Sequence, residues 1–442
     1  MNAASRFKYY FTTRKLKELY NSKIIYRANV GMDRIIPKAF EKELDKNVNI
    51  ISKKVFSGCY NFTRYREILI SKGRDKNPRV ISIPTIRDKL ALAAFHSVLK
   101  DVYKDIIEEP LLHTIIADIA TSISSGKYSC YVKVDITQFY ASINHDILLK
   151  KIRRKIHKKE IIHFLKNAIT TATVPENTNL QADIHNTIGV PEGLSISNIL
   201  ANIYLLDLKD YLQSRYSIKF FRYVDDILIL CNENDATLIK SDLIDILYRH
   251  YALNANREKT ISGKLEDGVP YLGYIFYSNR IGVRPAAIQR IENSIEALFR
   301  LYKHGAISKG TFEWRLNLKI GGCIYESKKY GWLFYYSQLT DLSELYHLDW
   351  FVIRLFARFG FNQSSSLMRF VRVYHEITKN FNNSKYLINA DTYTMNQKKS
   401  VICSVYGPKQ NSLSDEDMIN KVFRRIMFKE IQKLEHDIQN FS

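Results

Sequence analysis

The run Phe220-Phe221-Arg222-Tyr223-Val224-Asp225-Asp226-Ile227-Leu228-Ile229-Leu230 constrains this chain more than any other stretch. Two apolar, β-favouring segments flank an adjacent pair of carboxylates, which predicts a β-hairpin with its acids at the turn. Aspartates are common turn residues, so an exposed turn is the plainest reading. Side by side, however, two acids repel each other and add nothing to a fold. A divalent cation makes them tolerable, and Mg²⁺ binds through one or two carboxylates together with substrate phosphates.

A second acid site lies upstream. Tyr131-Val132-Lys133-Val134-Asp135-Ile136 reads as a buried strand that ends in an acid. Between the two, Gly189-Val190-Pro191-Glu192-Gly193-Leu194-Ser195-Ile196-Ser197-Asn198 is a glycine-containing loop that leads into a helix, expected over Ile199 to Tyr216. Such a loop offers free amides for a close approach to phosphates. Strand-end acids separated in sequence can meet at one sheet edge. Three carboxylates there would hold two Mg²⁺ ions about 4 Å apart, the arrangement used for phosphoryl transfer.

Composition fits a polyanionic partner. The 442 residues carry 66 Lys and Arg against 45 Asp and Glu, a formal charge of +21. An excess of that size points to nucleic acid first and an anionic membrane second. With 46% hydrophobic residues the chain is globular, not disordered. No stretch is long and apolar enough to span a bilayer. The five cysteines are scattered without metal-ligand or redox spacing, so reduced thiols in a cytoplasmic protein are expected.

Along the chain, a basic helical segment over 1–30 is followed by a turn at Asn29 to Arg34 and a helical pattern through Phe40, Leu44 and Val48. Tyr65 to Ile70 and Arg79 to Pro84 read as a hairpin whose tip holds Lys72, Arg74 and Lys76. Further helices are expected over Asp88 to Tyr103, Ile143 to Lys159 and Asp235 to Tyr251, with a strand over Tyr271 to Phe276. From Pro285 onward the pattern is helical, with 312–358 helical and rich in aromatics and a last helix capped by Ser414. The apolar side of that helix, Ile419, Phe423, Ile426, Ile431, Leu434 and Ile438, suits a core more than a partner surface.

Six groups of residues then occur in one order: Arg79…Ile83-Pro84-Thr85, Val134-Asp135…Phe139-Tyr140, Pro191-Glu192-Gly193…Ser197, Tyr223-Val224-Asp225-Asp226, Glu258-Lys259-Thr260 and Tyr271-Leu272-Gly273. This set resembles the consecutive motifs of reverse transcriptases over about residues 25 to 350, and Asn29 to Phe40 is similar to the N-terminal extension of group II intron and related bacterial enzymes. The resemblance implies an α+β fold, a right-hand polymerase with fingers, an antiparallel palm sheet, a thumb and a mainly helical C-terminal extension. It places the N-terminal extension and fingers at 1–130, the palm at 131–280, the thumb at 281–360 and the extension at 361–442.

By position, the resemblance assigns Asp135, Asp225 and Asp226 as metal ligands with the Ile136 carbonyl, and Mg²⁺ or Mn²⁺ as the two ions. Lys72 and Arg79 would clamp the incoming triphosphate, with Glu192 and Gly193 lining the nucleotide pocket. Tyr140 would be the steric gate that favours dNTPs over rNTPs. Lys259 would act on the leaving pyrophosphate, and Tyr271, Leu272 and Gly273 would be the primer grip. Two residues depart from the family pattern: Glu192 stands where glutamine is usual and Asn198 where proline is usual. The run Gly193 to Asn198 is similar to that of bacterial abortive-infection and defence-associated reverse transcriptases. That likeness implies a bacterial cytoplasmic enzyme of antiphage defence, copying a noncoding RNA into cDNA. Untemplated or protein-primed synthesis is the alternative, and a homo-oligomer or partner protein is expected. A non-catalytic RNA-binding protein is the remote reading.

Overall fold

The computed structural model describes residues 2–24, 29–71, 77–108, 110–177, 185–363, 365–407 and 415–438. The chain divides into two compact units, one made of Met1–Leu111 and Tyr131–Ser262, the other of Leu112–Cys130 and Gly263–Ser442.

The first unit opens with helices α1 (Ala3–Tyr10), α2 (Thr13–Leu19), α3 (Pro37–Lys42) and α4 (Leu44–Phe56). Strands β1 (Tyr65–Ile70) and β2 (Arg79–Ile83) pair antiparallel from Arg66↔Ile83 to Ile70↔Arg79, the expected hairpin. Helix α5 (Ile86–Tyr103) starts at an N-cap, Thr85, whose side chain accepts from the Asp88 amide. Asp88 is fully buried and satisfied by the Tyr60 hydroxyl at 2.8 Å and the Thr63 amide at 2.9 Å. Gly31 packs so close to this cap that a Cβ on it would lie 2.6 Å from Thr85 Cα. The N-terminal segment is thereby fixed to the start of α5.

Helix α6 (Leu112–Ser124) belongs to the second unit. The chain returns through β3 (Cys130–Asp135), every residue of which is buried. Then come α7 (Phe139–Ser142), α8 (His145–Ile152), α9 (Lys159–Thr170), β4 (Thr173–Val174, parallel to β1), α10 (Ser197–Tyr204) and α11 (Leu208–Gln213). Strands β5 (Lys219–Tyr223) and β6 (Asp226–Cys231) form the expected hairpin, followed by α12 (Glu233–Tyr251) and β7 (Ile261–Lys264). The sheet order is β5-β6-β3-β7, so the strand ending in Asp135 lies directly beside the strand that begins with Asp226.

Two helices predicted as continuous are broken, and side chains near the two breaks meet. The expected helix over Ile143 to Lys159 stops at Ile152, and the one over Ile199 to Tyr216 is interrupted between Tyr204 and Leu208. Asp207 occupies the second break and receives Lys151 Nζ at 3.1 Å and Arg154 Nη1 at 2.9 Å from beside the first. Lys151 is buried, with its ammonium 4.4 Å from the Tyr251 ring centroid. Within the basic segment Lys150 to Lys159, Lys151 is thus turned into the protein and not into solvent.

In the second unit, β8 (Val269–Tyr271), β9 (Tyr274–Phe276) and β10 (Ile281–Val283) form a three-stranded antiparallel sheet. Tyr271 to Phe276 is therefore a hairpin and not one strand. Leu272 and Gly273 both have positive φ, 48° and 83°, the requirement of a tight two-residue turn. Helices α13 (Pro285–Lys303) and α14 (Lys309–Gly321) follow. The stretch predicted as all helical then folds into a second hairpin, β11 (Cys323–Tyr325) and β12 (Lys328–Tyr330), turning on Glu326 and Ser327 with φ 48° and 58°. The remaining helices are α15 (Trp332–Tyr335), α16 (Ser343–Phe359), α17 (Phe370–Lys379), α18 (Met395–Tyr406) and α19 (Glu416–Ile438). Ser414 lies outside the described residues, and the Asp417 amide donates to Asp415 Oδ1 at 3.0 Å. Ile419, Phe423, Ile426, Ile431 and Leu434 of α19 are core residues, whereas Ile438, at its end, is only half-buried. Its polar anchors are buried too: Glu430 meets Arg315 at 2.8 Å, and Asp437 meets Lys319 at 2.7 Å. Among the described residues, no helix is long and apolar enough to cross a membrane.

Candidate active site

The β5–β6 hairpin pairs Tyr223 with Asp226, which leaves only Val224 and Asp225 in the turn. Val224 has φ 57°, an unfavourable region for a β-branched residue. Arg222 braces it by donating from Nη1 to the Val224 carbonyl at 3.1 Å and from Nη2 to Asn202 Oδ1 at 3.0 Å. Tertiary bonds from α10 thus hold a strained turn where the acid pair sits.

Asp135 and Asp226 are both buried, each 4% exposed, at the ends of neighbouring strands. Asp135 Oδ1 is buried and has no hydrogen-bond partner among the described residues, while Oδ2 lies 3.4 Å from Lys259 Nζ. Asp226 Oδ1 lies 3.5 Å from Lys133 Nζ. Burial, with Asp226 and Asp135 close by, pushes the Asp225 carboxyl up to about 6. Burial likewise raises Asp226, against the opposing pull of Lys133. Carboxylates that raise one another's pKa present hard oxygen donors that a divalent cation would stabilise. The donor set and the orphaned Asp135 oxygen fit such an ion. Among the described residues no three acidic, histidine or cysteine side chains are already closed around a common point, and Lys133 and Lys259 each hold one of the acids.

The backbone after Asp135 is clamped to the loop before Lys259. The Asn256 amide donates to the Asp135 carbonyl at 2.8 Å and the Thr137 amide to the Asn254 carbonyl at 2.9 Å. Ile136 faces Ala255 between these two bonds, so its own carbonyl takes no part in the bridge.

Arg79, the first residue of β2, forms an ion pair with Glu192. The Glu192 backbone is anchored independently: the Ser82 amide donates to its carbonyl at 2.7 Å, and Ser197 Oγ donates to the Pro191 carbonyl at 2.7 Å. Gly193 has φ 99°, and a Cβ there would lie 2.8 Å from Ile81 Cγ2, so glycine is required for this approach. Tyr140, on α7, is half-buried; its carbonyl accepts from the Val190 amide at 2.8 Å. Burial first, then the Glu192 and Asp225 charges, push its phenol up to about 12.

The first unit thus gathers Arg79, Asp135, Tyr140, Glu192, Gly193, Asp225, Asp226 and Lys259 around one end of the sheet. Lys72 lies outside the described residues. Tyr271, Leu272 and Gly273 belong to the second unit, where Tyr271 and Leu272 are fully buried and the Leu272 carbonyl accepts from the Tyr335 hydroxyl at 2.9 Å. Sequence reasoning missed Lys133 and Arg222. Lys133 precedes Asp135 by two residues on one strand face, and a lysine inside a buried strand needs a carboxylate, so that signal was available. Arg222 carried none.

Residues 70–276 match the reverse transcriptase (RNA-dependent DNA polymerase) family. A putative COX1/OXI3 intron 2 protein of Saccharomyces cerevisiae is 22% identical over 51% of this chain and 34% of its own length. Protein YkfC of Escherichia coli is 21% identical over 55% of this chain and 74% of its own. The Retron Ec83 reverse transcriptase of Escherichia coli is 26% identical over 44% of this chain and 63% of its own. The chain thus spans about a third of the yeast intron protein and three quarters of YkfC.

Proposed function

We propose that this chain, whose residues 70–276 match the reverse transcriptase family, is a right-hand α+β polymerase that joins dNTPs to a primer by RNA-directed, two-metal phosphoryl transfer. The observation that carries the reading is the convergence of Asp135, Asp225 and Asp226 at one sheet end, with Asp135 Oδ1 buried and without a hydrogen-bond partner among the described residues. Divalent ions held there would activate the primer hydroxyl and neutralise the triphosphate. In this reading Asp135, Asp225, Asp226 and the Ile136 carbonyl hold the ions. Arg79, with Lys72, orients the triphosphate, and Gly193 lets the chain approach the nucleotide. Tyr140 excludes a ribose 2′-hydroxyl. Lys259 lies 3.4 Å from Asp135 Oδ2 and supplies a cation, and a proton, to the departing pyrophosphate. The turn Tyr271-Leu272-Gly273 serves as primer grip, and the helices from Pro285 as thumb.

The biological role follows the same line. The formal charge of +21 suits an RNA template and its cDNA product. We read the chain as a bacterial, cytoplasmic antiphage polymerase that copies a noncoding RNA, acting as a homo-oligomer or with a partner protein. Sequencing the nucleic acid that copurifies with the chain tests this. The expected result is one RNA species together with complementary DNA. DNA unrelated to any copurified RNA, or DNA covalently attached to the protein, would instead favour untemplated or protein-primed addition, a reading motivated by the acidic residue at 192.

A further inference from the structure

We propose that Glu192 is a positioning residue, a resting counter-ion that occupies Arg79 until a nucleoside triphosphate displaces it. The inference deepens the polymerase reading above and rests on it for the identity of the ligand. Its starting point is the ion pair between Arg79 and Glu192, residues separated by 113 positions in sequence.

The carboxylate is not needed to build the loop. Three other features already fix Glu192 and its neighbours against β2: the Ser82 amide on the Glu192 carbonyl, the Ser197 hydroxyl on the Pro191 carbonyl, and the close fit of Gly193 against Ile81. What the side chain adds is a negative charge on a guanidinium that faces the acid cluster. Arg79 also feels Tyr140 and Asp225, so the pair sits beside the nucleotide pocket and not at a remote surface. Its side chains remain accessible, Arg79 at 49% and Glu192 at 20%.

Guanidinium binds carboxylate and phosphate with the same fork of donors. Glu192 therefore presents to Arg79 what a phosphate would present. Accessible ion pairs are held weakly, so a ligand with several phosphate oxygens displaces this one. Displacement leaves a carboxylate beside the new polyanion, which raises the threshold further. The site admits a triphosphate chelated to a divalent cation, whose charge is partly neutralised, more readily than a free polyphosphate. A neutral glutamine at 192 would set no such threshold.

Equilibrium binding of inorganic tripolyphosphate to the full chain, without added metal, tests the proposal apart from any catalysis. Glu192→Gln and Glu192→Ala should each bind tripolyphosphate about two- to fivefold more tightly than the unmodified chain, the range expected for releasing an accessible ion pair. In an Arg79→Ala background the same changes at 192 should give at most the small residual gain from removing a like charge. Unchanged affinity in both Glu192 variants, or an equal gain with and without Arg79, would overturn it. Primer extension by the unmodified chain separates the two claims. If extension is absent but the Arg79-dependent gain is present, the polymerase reading fails and the counter-ion stands. If extension occurs without the gain, only the counter-ion fails.

Discussion

Lys133 Nζ lies 3.5 Å from Asp226 Oδ1 between two neighbouring strands, with the side chains only 8% and 5% exposed. A buried ion pair of this kind adds little net stability, but removing one partner leaves an uncompensated charge. Lys133→Met should destabilise the first unit by about 3 kcal/mol, and Lys133→Met with Asp226→Asn should recover part of that loss. Urea unfolding of the single and double variants measures it; equal stability of Lys133→Met and the unmodified chain would contradict the pairing.

The raised Asp225 carboxyl makes stability depend on pH. Its value of about 6 in the fold lies above the ordinary aspartate value of about 4 in the unfolded chain. The folded state then holds the proton more tightly than the unfolded one. The stability from this group is present in full below pH about 4 and is lost as pH rises through about 6. In EDTA, the difference in unfolding free energy between the unmodified chain and Asp225→Asn should fall across that window. Parallel curves for the two proteins would count against the clustered acids.

The Tyr140 carbonyl accepts from the Val190 amide at 2.8 Å, and the Glu192 and Asp225 charges both act on its phenol. Removing its ring should open the space where a 2′-hydroxyl would sit. Tyr140→Val is expected to lower discrimination between dNTP and rNTP by about tenfold, in the range that shape-based selection supplies. Competing incorporation of matched dNTP and rNTP pairs gives the ratio, and an unchanged ratio would remove Tyr140 from the gate role.

Gly193 tests the fit of the loop against β2. At φ 99° and with a Cβ position 2.8 Å from Ile81 Cγ2, alanine is strained twice over. Gly193→Ala should cost about 1–3 kcal/mol of stability and raise KM for dNTP by pushing the 191–193 loop off β2, where Arg79 begins the strand. Thermal unfolding and steady-state kinetics on one preparation check both effects.

Much of the site was legible because its chemistry conflicts with its surroundings. Acids at the ends of apolar strands, Asp135 and Asp225-Asp226, stand out against periodicity, and so does the hairpin that carries them. The partnerships were less visible. Nothing local in either segment says that Arg79 meets Glu192; only the fold brings β2 to that loop. The breaks in the two long helices leave no local signal: Asp207, at the second, looks like an ordinary helix residue, and only the fold shows that it meets Lys151 and Arg154. The turn at Leu272-Gly273 looks like strand in sequence because leucine rarely takes positive φ, and a buried three-stranded sheet overrides that preference there.

Primer extension on an RNA template with Mg²⁺ tests the central claim most directly, comparing the unmodified chain with Asp135→Asn and with Asp225→Asn/Asp226→Asn. The two variants should remain folded by circular dichroism and lose extension by at least about a thousandfold. Extension at the unmodified rate by either folded variant would contradict the assignment of these carboxylates to the reacting site.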